Sequence, residues 1–176
     1  RYLVTGSRGF IGRWVVAHLA GTRPSSDTVL GVDLVGAMPV DLRSAADVEH
    51  LLVAYRPTHV IHAAGLTAGN REALLASNVE TTTVLCDALA RSCKGLVCMV
   101  VVSSAAVYGP VAESDCPIGE SAPVRCHSNY ATAKAAQEVV ADDNACHSSL
   151  GYVIRMDLIN TGLDLCGLFV IELTLV

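Results

Sequence analysis

The sequence predicts an α/β fold: a doubly wound parallel sheet with helices on both faces, three layers in all. Three observations predict it. Short apolar runs alternate with helical patterns along the chain, as successive βαβ units require. The first run, Tyr2-Leu3-Val4, passes directly into a turn with glycines at 6, 9 and 12, and then into a helical stretch, Trp14 to Ala20. The run Leu96 to Val102 is continuously apolar, as a strand buried on both faces must be.

The opening stretch organises the rest. A glycine in the turn can take positive φ, and its missing Cβ lets the backbone approach an anion. The helix behind it points unpaired N–H groups and a partial positive charge at that anion. The last glycine lets helix and strand lie close together. Strand, turn and helix therefore form a phosphate-binding device. The spacing is T-G-x-x-G-x-x-G, not the general G-x-G-x-x-G. A tight strand–helix turn without a ligand is the plain alternative.

The other elements follow in order. Gly21 ends the first helix, and Thr28 to Val32 is a second strand that stops at Asp33, 21 residues beyond Gly12. A carboxylate near that spacing accepts hydrogen bonds from the adenosine ribose, which favours NAD over NADP. Arg8, inside the turn, pulls the other way, since it can pair with a 2′-phosphate. Ser44 is the expected N-cap of a helix running to Tyr55, with Asp47 three residues on. Thr58 to Gly65 is a third strand and its exit, where Ala63, Ala64 and Gly65 would let a flat ligand lie on the backbone. His62 reads as a packed strand residue. Glu72 to Arg91 is one long helical pattern, interrupted at Asn78, where leucine or alanine would be the default.

The fourth strand runs into Ser103 and Ser104, two hydroxyls at the carboxyl end of a central strand, where open α/β sheets bind ligands. A loop, Val111 to Ser128, contains Pro117, Glu120 and Pro123. Asn129 to Val140 is a helix that places Tyr130 and Lys134, four apart, on one face. Such a pair is common on helix surfaces and is not specific alone. Gly151 to Arg155 is a fifth strand, and beyond it no helix is evident.

Composition bounds the function. The 176 residues are 52% hydrophobic and 16% charged, which fits one domain with a substantial core and excludes a disordered chain. A net charge of −5 with no basic cluster argues against a nucleic-acid partner. The seven cysteines are odd in number, lack C-x-x-C spacing and sit mostly in apolar runs. They read as reduced, buried thiols of an intracellular, cytoplasmic protein. The six histidines show no ligand spacing, so no metal is expected. No signal peptide opens the chain. The stretch Leu165 to Val176 is shorter than the ~20 residues a membrane span needs, so no membrane partner is expected. Arg1 stands directly before a strand, as if the start had been trimmed.

Taken in order, these motifs resemble the extended short-chain dehydrogenase/reductase superfamily, in its NAD-dependent epimerase/dehydratase branch, and within that the UDP-glucose 4-epimerase-like enzymes. The carrying residues are Val4 to Gly12, Asp33, Asp41-Leu42-Arg43, Arg56-Pro57, Val60 to Leu66, Asn78-Val79, Val102-Ser103-Ser104, Val107-Tyr108-Gly109, and Tyr130 with Lys134. They span residues 1 to about 155. The resemblance implies a Rossmann-type cofactor domain over 1–155. Residues 156–176 would begin a missing substrate region or form an aberrant apolar tail.

It also implies roles. Gly6, Gly9 and Gly12 would cradle the pyrophosphate, with Phe10 and Ile11 presenting helix N–H groups. Asp33 would hold the adenosine ribose, and Asp41 and Leu42 would border the adenine. Ala63, Ala64 and Gly65 would line the cofactor, NAD in preference to NADP, and Asn78 would position that neighbourhood. Ser104, Tyr130 and Lys134 would be the catalytic triad, with Tyr130 and Lys134 also touching the cofactor. Tyrosine ordinarily ionises near ~10, so such a base needs positive charge beside it. The implied reaction moves a hydride and a proton at a sugar hydroxyl carbon of a nucleotide sugar. Ala105 and Ala106 stand where dehydratases carry acids, which argues against dehydration. Thr67 stands where 4-epimerases tend to have lysine. A ketone or sterol reductase, and a catalytically silent cofactor-binding fragment, stay open as alternatives. Helices near 72–92 and 129–147 would form a homodimer through a four-helix bundle.

Overall fold

The computed structural model describes residues 1–112, 114, 116, 118, 119, 121–146 and 151–154. Five parallel strands form one sheet: β1 (Tyr2–Thr5), β2 (Val29–Val32), β3 (His59–His62), β4 (Cys98–Val102) and β5 (Gly151–Ile154), in the order β2-β1-β3-β4-β5. The registers are Tyr2 beside Val29 and His59, His59 beside Cys98, and Met99 beside Gly151. From β1 the chain steps one way to β2, then returns past β1 to β3. The carboxyl ends of β1 and β3 therefore flank the point where the winding reverses, and a crevice opens there.

The pleat sorts the strand residues between two cores. Leu3, Val32, Val60 and Val101 point to one face, against Val48, Leu51 and Leu52 of α2 (Ala45–Tyr55) and Leu85 and Leu89 of α4 (Thr81–Ser92). Val4 and Ile61 point to the other, against Val15 and Leu19 of α1 (Phe10–Thr22). Helix α5 (Asn129–Cys146) joins the first face through Ala141. All of β4 is buried. Each fully buried leucine, such as Leu3, Leu52 or Leu85, contributes about 1.5–3 kcal/mol through burial alone.

Gly21, expected to end the first helix, lies inside α1, which runs to Thr22 and is closed by the Arg23 N–H on the Leu19 carbonyl. Other helix starts carry side-chain caps. Ser44 caps α2, its hydroxyl accepting from the Asp47 N–H at 3.2 Å. Asn70 caps the short α3 (Arg71–Leu75) by accepting from the Ala73 N–H at 2.8 Å.

The long helix expected over 72–91 is not continuous. It divides into α3, one π-helical turn (Ala76–Glu80) and α4. The cause is Asn78, whose Nδ2 donates to the Leu74 carbonyl at 2.9 Å and to the Leu66 carbonyl at 3.0 Å. The side chain engages the carbonyl that an α-helix would reserve for the Asn78 N–H, and the ladder widens by one residue. Thr81, Thr82 and Thr83 then bond back to the carbonyls of Ser77, Asn78 and Val79.

Not all of the cysteines are buried, contrary to their apolar sequence context. Cys86, Cys93 and Cys98 are buried free thiols, but Cys116 is exposed and Cys126 half-buried, because both lie on the irregular segment after β4. Burial pushes the Cys86 thiol up to about 12 and raises Cys93 and Cys98. Among the described residues no helix is long and apolar enough to cross a membrane, and no group of three His, Cys, Asp or Glu could hold a metal ion. Pro117, Glu120, Arg155 and the stretch 156–176 lie outside the described residues.

Candidate functional site

Two cavities lie side by side at the winding reversal. One is about 490 Å³ and is bordered by Gly6, Gly9, Asp33, Asp41 and Leu42. The other is about 600 Å³ and is bordered by Ile11, Asn78, Ser104, Tyr130 and Lys134. Ala63, Ala64, Gly65 and Leu66 line both, so the β3 exit is the shared wall of one long cleft.

The first half is made of backbone. Gly6 sits at φ +65°, and a Cβ there would lie 2.6 Å from the Ala64 nitrogen. Only glycine satisfies both demands. Gly12 borders neither cavity. It lies beneath the turn, where a Cβ would overlap the Gly6 carbonyl oxygen, so its place is the close approach of α1 to the turn. Gly9 is the N-cap of α1 and offers no side-chain cap, which leaves first-turn N–H groups, those of Phe10 and Ile11 among them, for another acceptor. The Phe10 ring is half exposed and stacks under the Arg13 guanidinium at 5.5 Å. Only its backbone serves the turn.

Asp33 is fixed by two backbone donors. Its Oδ2 accepts from the Arg8 N–H at 3.0 Å and its Oδ1 from the Leu34 N–H at 2.8 Å. Each oxygen keeps a free acceptor site at the mouth of the first cavity. Asp41 is differently engaged. Arg43 grips both its oxygens, at 3.0 and 2.8 Å, and that side-chain hydrogen bonding holds its carboxyl below the usual range. Arg8 and Arg43 complete this end.

The second half is made of side chains. Ser104 caps a 3₁₀ turn (Ala105–Tyr108), its Oγ accepting from the Ala106 N–H at 3.2 Å. Ser103 turns inward and donates to Glu138. Lys134 is nearly fully buried, donates to the Val102 carbonyl at 2.6 Å, and donates again to Gln137. Burial brings the Lys134 ammonium down to about 8, with Glu138 opposing the shift. Asn78 is buried, and its Oδ1 has no partner among the described residues. That oxygen sits where a Cβ on Gly65 would be.

Below Lys134 lies a polar layer that the sequence pattern did not single out. His62 is fully buried and bonded at both ring nitrogens, to Thr5 at 2.7 Å and Thr82 at 2.9 Å. Burial, aided by the Lys134 charge, brings its pKa down to about 3. Gln137 reaches Thr82 at 2.8 Å. One signal was available. Gln137 stands midway between Ala133 and Ala141 on a single buried stripe of α5, where a polar residue needs a reason.

Comparison with known proteins gives the family and the fold. The family model described as the NAD dependent epimerase/dehydratase family matches residues 2–155. The chain belongs to that family. Among solved structures, the UDP-glucose 4-epimerase of Thermus thermophilus, in complex with NAD, matches with a TM-score of 0.79 at 28% identity, over 88% of this chain and 54% of that one. A double mutant of the dTDP-glucose 4,6-dehydratase of Streptomyces venezuelae, with NAD bound, matches at 0.74 and 25%, over 88% and 55%. RMD from Pseudomonas aeruginosa, complexed with NADPH, matches at 0.73 and 27%, over 89% and 54%. The chain thus spans about half the length of each.

Proposed function

We propose that this epimerase/dehydratase-family chain is the NAD-binding part of an enzyme that transfers hydride and a proton at a hydroxyl-bearing carbon of a nucleotide sugar. The carrying observation is the pairing of the two half-cavities on one wall, glycine turn at one end and Ser104, Tyr130 and Lys134 at the other. The residues present fit a dinucleotide. The Gly6 position has no room for a Cβ, Gly9 leaves helix N–H groups uncapped, and the buried Asn78 Oδ1 beside the cleft lacks a partner among the described residues.

NAD, when bound, supplies the hydride acceptor. The turn at Gly6 and Gly9 and the N–H groups of Phe10 and Ile11 would hold the pyrophosphate, with Gly12 keeping α1 close behind them. Asp33 would accept from the adenosine ribose hydroxyls, and its negative charge disfavours a 2′-phosphate, so NAD is preferred to NADP. Asp41 and Leu42 would border the adenine. Ala63, Ala64 and Gly65 would carry the middle of the cofactor, and Asn78 would hold the wall behind it. Tyr130 would take the proton from the substrate hydroxyl. Lys134 would place its charge beside that phenol and grip the nicotinamide ribose. Ser104 would donate to the substrate oxygen as it becomes a carbonyl. Ala105 and Ala106 bring no acid to this wall, which favours epimerisation over dehydration.

Residues 1–155 form the cofactor domain in this reading. α4 and α5, on one face of the sheet, form the homodimer contact. The free thiols of Cys86, Cys93 and Cys98 suit the cytoplasm.

The test is interconversion of UDP-glucose and UDP-galactose by the protein, with Tyr130→Phe beside it. The variant is expected to lose about 10²–10⁴-fold in turnover while still binding cofactor. Undiminished turnover in the variant contradicts the role of Tyr130. Cofactor binding without any turnover leaves a silent binding module. Net reduction or oxidation of the cofactor identifies a ketone or sterol reductase instead.

A further inference from the structure

Lys134 is held from below by groups that form one ordered chain, and the proton positions along it can be deduced. The Thr82 hydroxyl has a single proton, and it goes to the Asn78 carbonyl at 2.6 Å. The Thr82 oxygen must therefore accept from its two other neighbours, His62 Nε2 at 2.9 Å and Gln137 Nε2 at 2.8 Å. His62 then carries its proton on Nε2, and its Nδ1 accepts from the Thr5 hydroxyl at 2.7 Å. The Thr5 oxygen in turn receives the Ala64 N–H at 3.4 Å. With Gln137 Nε2 committed to Thr82, only Gln137 Oε1 can face Lys134, and the ammonium donates to it.

We propose that Gln137 is a positioning residue that clamps the Lys134 ammonium, its amide oriented by Thr82 and His62 so that one ammonium proton alone is left for the cleft. The proposal rests on the cofactor-binding reading of Lys134. An ammonium has three donors. Among the described residues Val102 and Gln137 take two from inside, and Lys134 also borders the larger cavity, to which the clamp leaves the third. Both internal acceptors are uncharged, so they direct the ammonium without pairing it.

Among the described residues, the charged and titratable groups around it are few. Glu138, from the same helix, receives the Ser103 hydroxyl. His62 faces it from β3 and is neutral at physiological pH. Tyr130, from α5, and Cys116, from the loop after β4, border the same cavity. The α4 side offers the neutral Thr82. The clamp therefore favours the cationic form of a buried lysine, against the burial that lowers its pKa.

The experiment follows Lys134 itself, by NMR of ¹³C-lysine-labelled protein titrated from pH 6 to 11, with the resonance assigned through Lys134→Arg. NADH binding is measured on the same samples. Gln137→Glu, which supplies a charged acceptor, is expected to raise the Lys134 midpoint by about one unit or more. Gln137→Met, of similar volume but without an acceptor, is expected to lower it by about one unit and to weaken NADH binding about tenfold. Thr82→Val leaves the amide in place but frees it to turn. It is expected to lower the midpoint by less, and it serves as the test should either Gln137 variant fail to fold. A merely structural glutamine would alter stability and leave the Lys134 midpoint unmoved. Folded variants with an unmoved midpoint overturn the clamp. Shifted midpoints in a protein that binds no NADH uphold the clamp and overturn the cofactor reading. NADH binding with unmoved midpoints does the reverse.

Discussion

The two halves of the cleft are built on opposite principles. The half at Gly6, Gly9 and Asp33 presents main chain: a positive-φ glycine, an uncapped helix start and a carboxylate fixed by two backbone N–H groups. The half at Ser104, Tyr130 and Lys134 presents side chains, held from beneath by a buried polar layer running from Thr5 to Gln137. Backbone sites tolerate little because steric space is fixed, whereas buried side-chain networks tolerate little because every partner must be satisfied. The first half should therefore break on added volume, and the second on added or removed charge.

The largest expected effect belongs to the polar layer. His62 has a folded pKa near 3 against an ordinary 6.5. Between those values the unfolded chain binds the extra proton, so stability falls as pH falls through that window. The loss is about 1.4 kcal/mol per pH unit below 6.5, on the order of 5 kcal/mol if carried to pH 3. Urea unfolding at pH 7, 6, 5 and 4 should show this slope, and His62→Gln should remove it. Parallel pH dependences for the two proteins would show that His62 is not held neutral.

Lys134 gives a slope of the same sign at alkaline pH. Its folded value near 8 lies below its ordinary 10.5. The unfolded chain again holds more protons in that window, so the burial penalty is present below pH 8 and is relieved as pH rises towards 10.5, by on the order of 3 kcal/mol. Unfolding of wild type and Lys134→Met at pH 7.5 and 9.5 measures it. A stability difference that is the same at both values contradicts it.

In the backbone half, Gly6→Ala is expected to cost about 2 kcal/mol or more in stability, since its φ of +65° and the Ala64 backbone both oppose a Cβ. It should abolish cofactor binding in protein that still folds. An alanine variant that binds as wild type would show that the turn is not the anion site. The smallest effect is at Asp33, where Asp33→Ser should shift the ratio of NAD to NADP affinity about tenfold towards NADP, the equivalent of about 1.4 kcal/mol. An unchanged ratio would assign the choice to Arg8, whose side chain lies against Gly36.

The same division explains what the sequence made legible. Main-chain features leave local marks. The glycine spacing, Ser44 with Asp47, the apolar β4 run and Asp33 at a strand end each fixed an element or a wall of the cleft to within a residue or two. Asn78 was visible as an oddity within an apolar helical stripe, but its consequence, a π turn, needed the distant Leu66 carbonyl that the fold brings to it. The Thr5–His62–Thr82–Gln137 layer joins four elements, and its bonded partners stand as far apart in the chain as 57 positions, from Thr5 to His62, and 55, from Thr82 to Gln137. No local pattern encodes such a partnership. Only the buried stripe of Ala133, Gln137 and Ala141 marks where one of its members had to find a partner.

The most direct measurement is an NADH titration of the 176-residue chain, followed by energy transfer from Trp14, its single tryptophan, which stands one turn into α1 behind the glycine loop. Saturable transfer is expected, which NAD competes more strongly than NADP and which Gly6→Ala removes. Absence of transfer in a chain that circular dichroism shows to be folded would contradict the cofactor-binding reading.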